Sequence, residues 1–239
     1  MSKIKTFLGV ITARGGSKGI KDKNIKPLNG LPLLAYSILA AQKSKLLRHV
    51  IVSTDSPEIA AAAGRCGGAV PFMRPAHLAV DRTPTVPVLR HALLEYERQT
   101  GLHFDYVVLL QPTSPLRLAK DIDRGIQMLL DSPKKDNLLS VYLSGNIHPK
   151  KMYVKKGGRF DMYVKKQDGV FRRQDVEDMY IRNGAVYIMR RDLLMDKGRM
   201  FADRPLLMVM PKLRSVDIDS IEDFRLAELI LKSGEHLKG

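Results

Sequence analysis

Several things are scarce in this chain of 239 residues: it has one cysteine, no tryptophan and only 6% aromatic residues. The single thiol, Cys66, rules out an intramolecular disulfide and fits a reducing compartment. It lies in Gly-Arg-Cys-Gly-Gly after a predicted helix, where a small packed side chain is expected rather than a reactive nucleophile. No apolar run approaches the ~18 residues of a membrane-spanning helix. The apolar stretch near the start runs into Arg-Gly-Gly-Ser-Lys, unlike a signal cleavage site. These absences lead us to expect a cytoplasmic protein with no membrane partner. Motifs are missing too. No Walker A loop and no G-x-G-x-x-G fingerprint occur. The six histidines show no metal spacing, and no Ser-His-Asp order is present.

What is abundant is positive charge, +15 in net, and it points to anionic partners: nucleotides, sugar acids, nucleic acid or an acidic membrane surface. Between His148 and Arg173 nine Lys or Arg face only Asp161 and Asp168, so this segment carries +7. Nucleic acid is nevertheless an unfavoured partner. No aromatic-interleaved RNA motif appears, and only Tyr153 and Tyr163, near lysines, hint at a stacking surface.

With 44% hydrophobic residues the chain can bury a sizeable core. Strand and helix signals alternate. Strands are predicted at Phe7–Thr12, Val50–Ser53, Tyr106–Leu110, Leu138–Leu143, Ala185–Met189, Leu206–Met210 and Ser215–Ile218. Helices are predicted at Leu33–Gln42, with Pro32 at its first position, from Ser56 to Gly64, at Val86–Arg98, around Ile122–Leu130, and from Ser220, with Asp223 completing its cap. Repeated βα units imply a Rossmann-like α/β fold with a mostly parallel sheet in three layers. One domain is expected over residues 1–239. Residues 147–176 break the rhythm, and Lys156-Gly157-Gly158-Arg159 between Tyr-containing runs reads as an inserted basic hairpin.

Ligands of open α/β sheets bind at the carboxyl ends of strands. After the first strand comes a glycine loop. Gly15, Gly16 and Gly19 let backbone N–H groups approach phosphate oxygens, Arg14, Lys18, Lys21 and Lys23 supply charge, and Ser17 and Asn24 can hydrogen-bond. Thr54-Asp55-Ser56 follows the second strand, and the proline-stiffened Gln111-Pro112-Thr113-Ser114-Pro115 follows the third. On a late strand Asp217 and Asp219, at i and i+2, would share one face ~7 Å apart at Cα. Such a pair suits Mg²⁺, and acids opposite a phosphate cradle can hold a metal–triphosphate.

These blocks make the chain resemble the acylneuraminate cytidylyltransferases, the CMP-sialic acid and CMP-nonulosonic acid synthetases. The resemblance covers about residues 10–230 in eight blocks of family order. They are Ala-Arg-Gly-Gly-Ser-Lys-Gly (13–19) with Lys-Asn (23–24), Val-Ser-Thr-Asp (52–55), Arg-Pro-Ala (74–76) with Leu-Ala-x-Asp (78–81), and Leu-Gln-Pro-Thr-Ser-Pro-Leu-Arg (110–117). His-Pro-x-Lys (148–151), Arg-Arg-Gln (172–174), Asn-Gly-Ala-x-Tyr (183–187) and Ser-x-Asp-Ile-Asp (215–219) complete them.

The resemblance implies a reaction of CTP with an acidic nine-carbon sugar, giving a CMP-sugar and pyrophosphate. It implies that Arg14, Ser17, Lys18 and Lys23, with Gly15 and Gly16, hold the triphosphate. Asn24, Arg74, Asp81 and Thr85 would serve the cytidine end. Gln111, Thr113, Ser114 and Asn183 would line the sugar side, and Lys151, Arg173 and Gln174 would reach the substrates. Asp217 and Asp219 would bind Mg²⁺. A homodimer is implied, with the basic hairpin as its arm. Two departures stand out: Lys21-Asp22 replaces the family's Pro and basic residue, so Asp22 is expected to face solvent, and Arg82 follows Asp81 where the family has Thr. Two readings remain beside the synthetase: a relative using another sugar or nucleotide, and a basic nucleic-acid-binding protein.

Overall fold

The computed structural model describes residues 4–17, 19–145, 147–164 and 177–237. β1 (Phe7–Thr12) is followed by a two-strand ribbon, β2 (Pro27–Leu28) and β3 (Leu31–Pro32), and by α1 (Leu33–Gln42). Next come β4 (His49–Ser53), α2 (Pro57–Arg65), α3 (Thr85–Thr100), β5 (Tyr106–Leu109), α4 (Ala119–Leu130) and β6 (Asn137–Leu143). A hairpin of β7 (Tyr153–Lys156) and β8 (Arg159–Met162) precedes β9 (Tyr180–Arg190), α5 (Arg191–Met195), β10 (Leu206–Val209) and α6 (Ile221–Ser233).

Six strands form the central sheet in the order β10-β6-β9-β5-β1-β4. β4, β1 and β5 are parallel neighbours, as are β10 and β6, whereas β9 pairs antiparallel with both β5 and β6. Five strands thus share one direction and β9 opposes them. Strand alternation explains the layering. Phe7 and Ile11 of β1, with Tyr106 and Val108 of β5, pack toward α1, α2 and α4 through Leu34, Ile38, Ile59, Ile122 and Ile126. Leu8, Val10, Val107 and Leu109 face the other way, onto Leu89 and Leu93 of α3 and Leu193 and Leu194 of α5. α6 packs Phe224 and Ala227 against Leu28, Leu33 and Ile218.

Local chemistry sets the ends. The Ser56 hydroxyl accepts the Ile59 N–H at 3.2 Å, with Pro57 opening α2. The Ser220 hydroxyl accepts the Asp223 N–H at 3.2 Å while the Asp223 carboxylate accepts the Ser220 N–H at 2.8 Å, the reciprocal cap anticipated for the last helix. The hairpin turns on Gly157 and Gly158, both at positive φ (53° and 84°), as a two-residue loop between antiparallel strands requires. It is a two-stranded sheet of its own.

The expected strand at Ser215–Ile218 is absent. Lys212–Arg214 makes a 3₁₀ turn, and the chain then runs without ladder partners to Ser220. The segment is held from below instead: the Ile218 N–H donates to the Thr113 carbonyl at 2.8 Å, and Ile218 is buried. Pro32, expected to open α1, sits just before it, paired in the β2–β3 ribbon.

β9 is longer than its apolar run suggests, and it bulges. Leu139 pairs with Tyr187 but Val141 with Arg182, so extra β9 residues loop out opposite Ser140. Gly184 sits in the bulge at φ +71°, where a Cβ would collide with the Gln111 amide oxygen and lie 2.9 Å from Ser114 Oγ. Gly184→Ala is therefore expected to cost about 1–3 kcal/mol of stability. Urea unfolding measures this; an unchanged midpoint would show that the position is unstrained.

Candidate active site

The carboxyl ends of β1, β4 and β5 open onto a cavity of about 390 Å³, within the range of small-ligand pockets. Its lining brings together Thr12, Arg14, Ser17, Gly19, Lys23 and Asn24 from the first loop, and Arg74, Leu78, Val80, Asp81 and Thr83 from the chain before α3. Thr85 and Val88 of α3, Gln111, Pro112 and Thr113 after β5, and Asp219 complete the wall. Segments from the two ends of the chain thus meet around one space.

The first loop is held by its own polar groups. The Asn24 side-chain amide donates to the Arg14 carbonyl at 2.9 Å, and Asn24 is buried. Gly15 N–H donates to the Asp55 carboxylate at 3.0 Å, so this amide is already committed inside the protein rather than open to a phosphate. Gly16, at φ +61°, has open space where a Cβ would stand, so its requirement is conformational. A Cβ on Gly19 would lie 2.9 Å from the Asp219 carbonyl oxygen, so glycine here permits the two loops to touch. Lys23 Nζ donates to the Ile218 carbonyl at 2.7 Å and lies 3.5 Å from Asp219 Oδ1. Asp22 takes the left-handed conformation and is exposed, as anticipated. Lys18 lies outside the described residues.

Arg74 stands on the wall beside the end of β4. Its guanidinium donates to Ser53 Oγ at 3.0 Å and to the Ser53 carbonyl, and its N–H donates to the Thr54 carbonyl at 2.7 Å. Burial pulls its pKa down to about 10, Asp55 opposes that fall and Arg14 adds to it. The side chain is both a cavity wall and a brace for the end of β4. Arg14 pairs with Asp81 across the cavity at 2.7 Å. Thr85, the first residue of α3, lines the same cavity.

Not every residue expected on the sugar side faces the cavity. Gln111 and Thr113 line it; Ser114 and Asn183 do not. Both are fully buried and their hydrogen bonds are spent internally. Ser114 Oγ donates to the Asn183 carbonyl at 2.8 Å. Asn183 Nδ2 donates to Ser215 Oγ at 2.9 Å, and its Oδ1 accepts from Ser140 Oγ at 2.6 Å. These two residues tie β6, the β9 bulge, the loop after β5 and the acidic segment together. Arg117 extends the brace, donating to the carbonyls of Ala185 (2.7 Å) and Gln111 (2.8 Å). Lys151 is likewise off this wall, in the turn leading to the hairpin. Arg173 and Gln174 lie outside the described residues.

Asp217 and Asp219 flank buried Ile218 and both turn outward, although no strand aligns them. Asp219 enters the cavity, while Asp217 lines a neighbouring depression with Tyr142, Arg182, Lys212 and Leu226. Burial pushes the Asp217 carboxyl above the usual carboxylate range, the Thr113 hydroxyl bond works against this, and the Asp219 charge adds to the rise. Two hard oxygen donors that repel each other beside a cationic loop fit a magnesium ion, which takes one or two carboxylates together with phosphates. Among the described residues no three His, Cys, Asp or Glu side chains form an all-protein metal cage.

Sequence reasoning missed Thr12, Leu78, Val80, Thr83 and Val88 as wall residues. Thr12 was open to discovery as the last residue of a strand; Val88 was not, because its helical spacing reads equally as core.

Among the described residues no helix is long and apolar enough to cross a membrane. The cytidylyltransferase family model matches residues 8–234. A protein described as post-translational flagellin modification protein B from Campylobacter coli is 38% identical over 227 residues, covering 95% of each chain. The CMP-N,N'-diacetyllegionaminic acid synthase of Campylobacter jejuni is 37% identical over 226 residues, covering 94% of each chain. In fold, a CMP:2-keto-3-deoxy-manno-octonic acid synthetase solved with CTP superposes with a TM-score of 0.69 at 17% identity, covering 96% of this chain and 100% of that one. With its sheet, its cavity at the strand ends and this sequence likeness, the chain belongs to the cytidylyltransferase family.

Proposed function

We propose that the protein transfers a cytidylyl group from CTP to an acidic nine-carbon sugar of the nonulosonic type, releasing pyrophosphate. The observation that carries this reading is one cavity whose wall brings together the cations of Arg14, Lys23 and Arg74, the hydroxyls of Ser17, Thr85 and Thr113, the Gln111 amide and the Asp219 carboxylate. The related C. jejuni chain, named as a CMP-N,N'-diacetyllegionaminic acid synthase, supports the substrate class.

The chemistry asks little covalent work of the protein. A sugar hydroxyl attacks the α-phosphorus, the bond from that phosphorus to the α,β-bridging oxygen breaks, pyrophosphate leaves with the electron pair, and the hydroxyl proton passes to solvent. Positioning and charge neutralisation dominate such transfers. Arg14, Ser17 and Lys23, with Lys18, would hold the phosphates. Arg14 must then exchange its Asp81 partner for phosphate oxygens. Arg74, Asn24, Asp81 and Thr85 would shape the base end. Gln111 and Thr113 would orient the sugar, with Ser114 and Asn183 fixing the loop beneath them. Asp217 and Asp219 would hold Mg²⁺, which when bound neutralises charge developing on the phosphates.

The arm and the assembly belong to this proposal. The hairpin exposes Tyr153, Phe160 and Tyr163 beside Lys155, Lys156 and Arg159, and an isolated two-stranded hairpin is marginal in water. We place it, with Lys151, Arg173 and Gln174, against a second copy in a homodimer. A chain with one cysteine fits a reducing, cytoplasmic setting.

Pyrophosphate release is expected with CTP and Mg²⁺ only when a nonulosonic acid is present, and removing the metal with a chelator should abolish it. No release with CTP and N-acetylneuraminic, legionaminic or pseudaminic acid would contradict the reading. Asp219→Ala is expected to lower kcat ~100-fold or more with the fold intact by circular dichroism; wild-type turnover would remove the metal assignment. Light scattering should give a dimer, and a fully active monomer would break the shared-arm account.

A further inference from the structure

Asp55 lies off the wall of the nucleotide cavity, in the turn between β4 and α2, yet it serves two parts of the site from behind. On one side its Oδ1 accepts the Gly15 N–H at 3.0 Å, the only contact that we find fixing that amide among the described residues. On the other side it is the first of the neighbouring charges to oppose the cost of burying Arg74. Gly15 and Arg74 lie far apart in sequence and share no direct hydrogen bond among the described residues.

The backbone that presents Asp55 has little freedom. Before it, the Ser53 carbonyl accepts the Ala13 N–H at 3.0 Å, and Thr54, fully buried, pairs with Met73 and accepts the Arg74 N–H at 2.7 Å. After it, Ser56 N–H donates to Thr54 Oγ1 at 3.2 Å, and the Ser56 hydroxyl caps α2. A side chain projecting from a node pinned this way points where the backbone aims it. The packing around Gly15 leaves a Cβ at ordinary contact distances, 3.4 Å from Ser56 Cβ and 3.5 Å from Asp55 Oδ2. The loop is therefore held here by the hydrogen bond rather than by a steric wedge.

We propose that Asp55 is a positioning residue for the cytidylyl transfer, one carboxylate that fixes the phosphate loop through Gly15 and steadies Arg74 at the base end, so that the two halves of the site keep their spacing. This rests on reading the cavity as the nucleotide site. Asp55 itself stands off the cavity wall, so the role is one of positioning. Both functions need the side chain, but they separate on substitution. Asp55→Asn keeps an oxygen that can accept from Gly15 and removes the charge facing Arg74. Asp55→Ala removes both.

The test uses the full-length protein and two readouts. In steady-state kinetics at fixed Mg²⁺ and nonulosonic acid, Asp55→Asn is expected to raise KM for CTP ~3- to 10-fold with kcat near wild type. Asp55→Ala is expected to raise KM ~10-fold or more and to lower kcat as well. The second readout needs no substrate: in the free protein, Gly15 amide exchange should accelerate at least tenfold in Asp55→Ala and stay within threefold of wild type in Asp55→Asn, with Gly16 as the internal reference. Should the alanine variant fail to fold, the asparagine variant still carries the kinetic arm. A lower melting temperature with KM and kcat unchanged in Asp55→Ala overturns the proposal, because the residue then serves stability alone. Unchanged Gly15 exchange in a folded Asp55→Ala overturns it too. If the wild-type protein turns over no CTP while Gly15 exchange accelerates in Asp55→Ala, the nucleotide reading fails and the loop-holding role stands.

Discussion

The bond from Lys23 Nζ to the Ile218 carbonyl joins segments 195 residues apart in sequence, and the site depends on it. It carries the cationic loop after β1 to the acidic segment before α6, and Gly19 allows the two backbones to touch beside it. A charge-assisted bond from a lysine to a carbonyl keeps the ammonium oriented without neutralising it. Lys23 is thus fixed yet still positive, and Asp219 beside it is open to solvent and to a ligand. Cations and carboxylates held this close without a complete mutual pairing leave a site that gains from an added anion and an added metal together. That is the electrostatic profile the proposed metal–triphosphate site would need.

Behind this contact lies a layer of buried polar groups that does no chemistry. Asn183, Ser114, Ser140 and Ser215 bond one another, and Arg117 ties the β9 bulge to the Gln111 carbonyl. Arg214 pairs with Asp121 at 2.8 Å, both buried. Such networks cost more to leave half-satisfied than to complete, so they hold a single arrangement of the loops above them. The same logic covers the base end, where Ser53, Thr54 and Asp55 organise Arg74 from below. The spacing of the wall residues follows from these supports.

How much of this could be read in the sequence depends on whether the signal was local. The continuous apolar run Tyr106–Leu110 announced a strand covered on both faces, and the Ser220–Asp223 pair announced a helix start, because each is settled by neighbours in the chain. The positive glycines of the hairpin were equally legible. The segment Ser215–Asp219 misled, since its alternation of buried and exposed residues survives without any ladder; a contact to Thr113 replaces the strand partner, and no local pattern reveals that. Asn183 and Ser114 misled for a related reason. Polar residues beside a binding loop look like ligands until their hydrogen bonds prove to be spent within the core. Asp55 showed the reverse: a residue in a recognisable block whose target, an amide 40 positions away, only the fold discloses.

Hydrogen–deuterium exchange of the protein with and without CTP and Mg²⁺ tests most directly that the two ends of the chain build one site. Ligand should slow exchange together in residues 12–24 and 211–219, at the same ligand concentration, and leave the amino ends of β1 and β4, around Thr6 and Lys45, unchanged. Protection of the first segment alone, or of neither, would contradict a shared cavity between them.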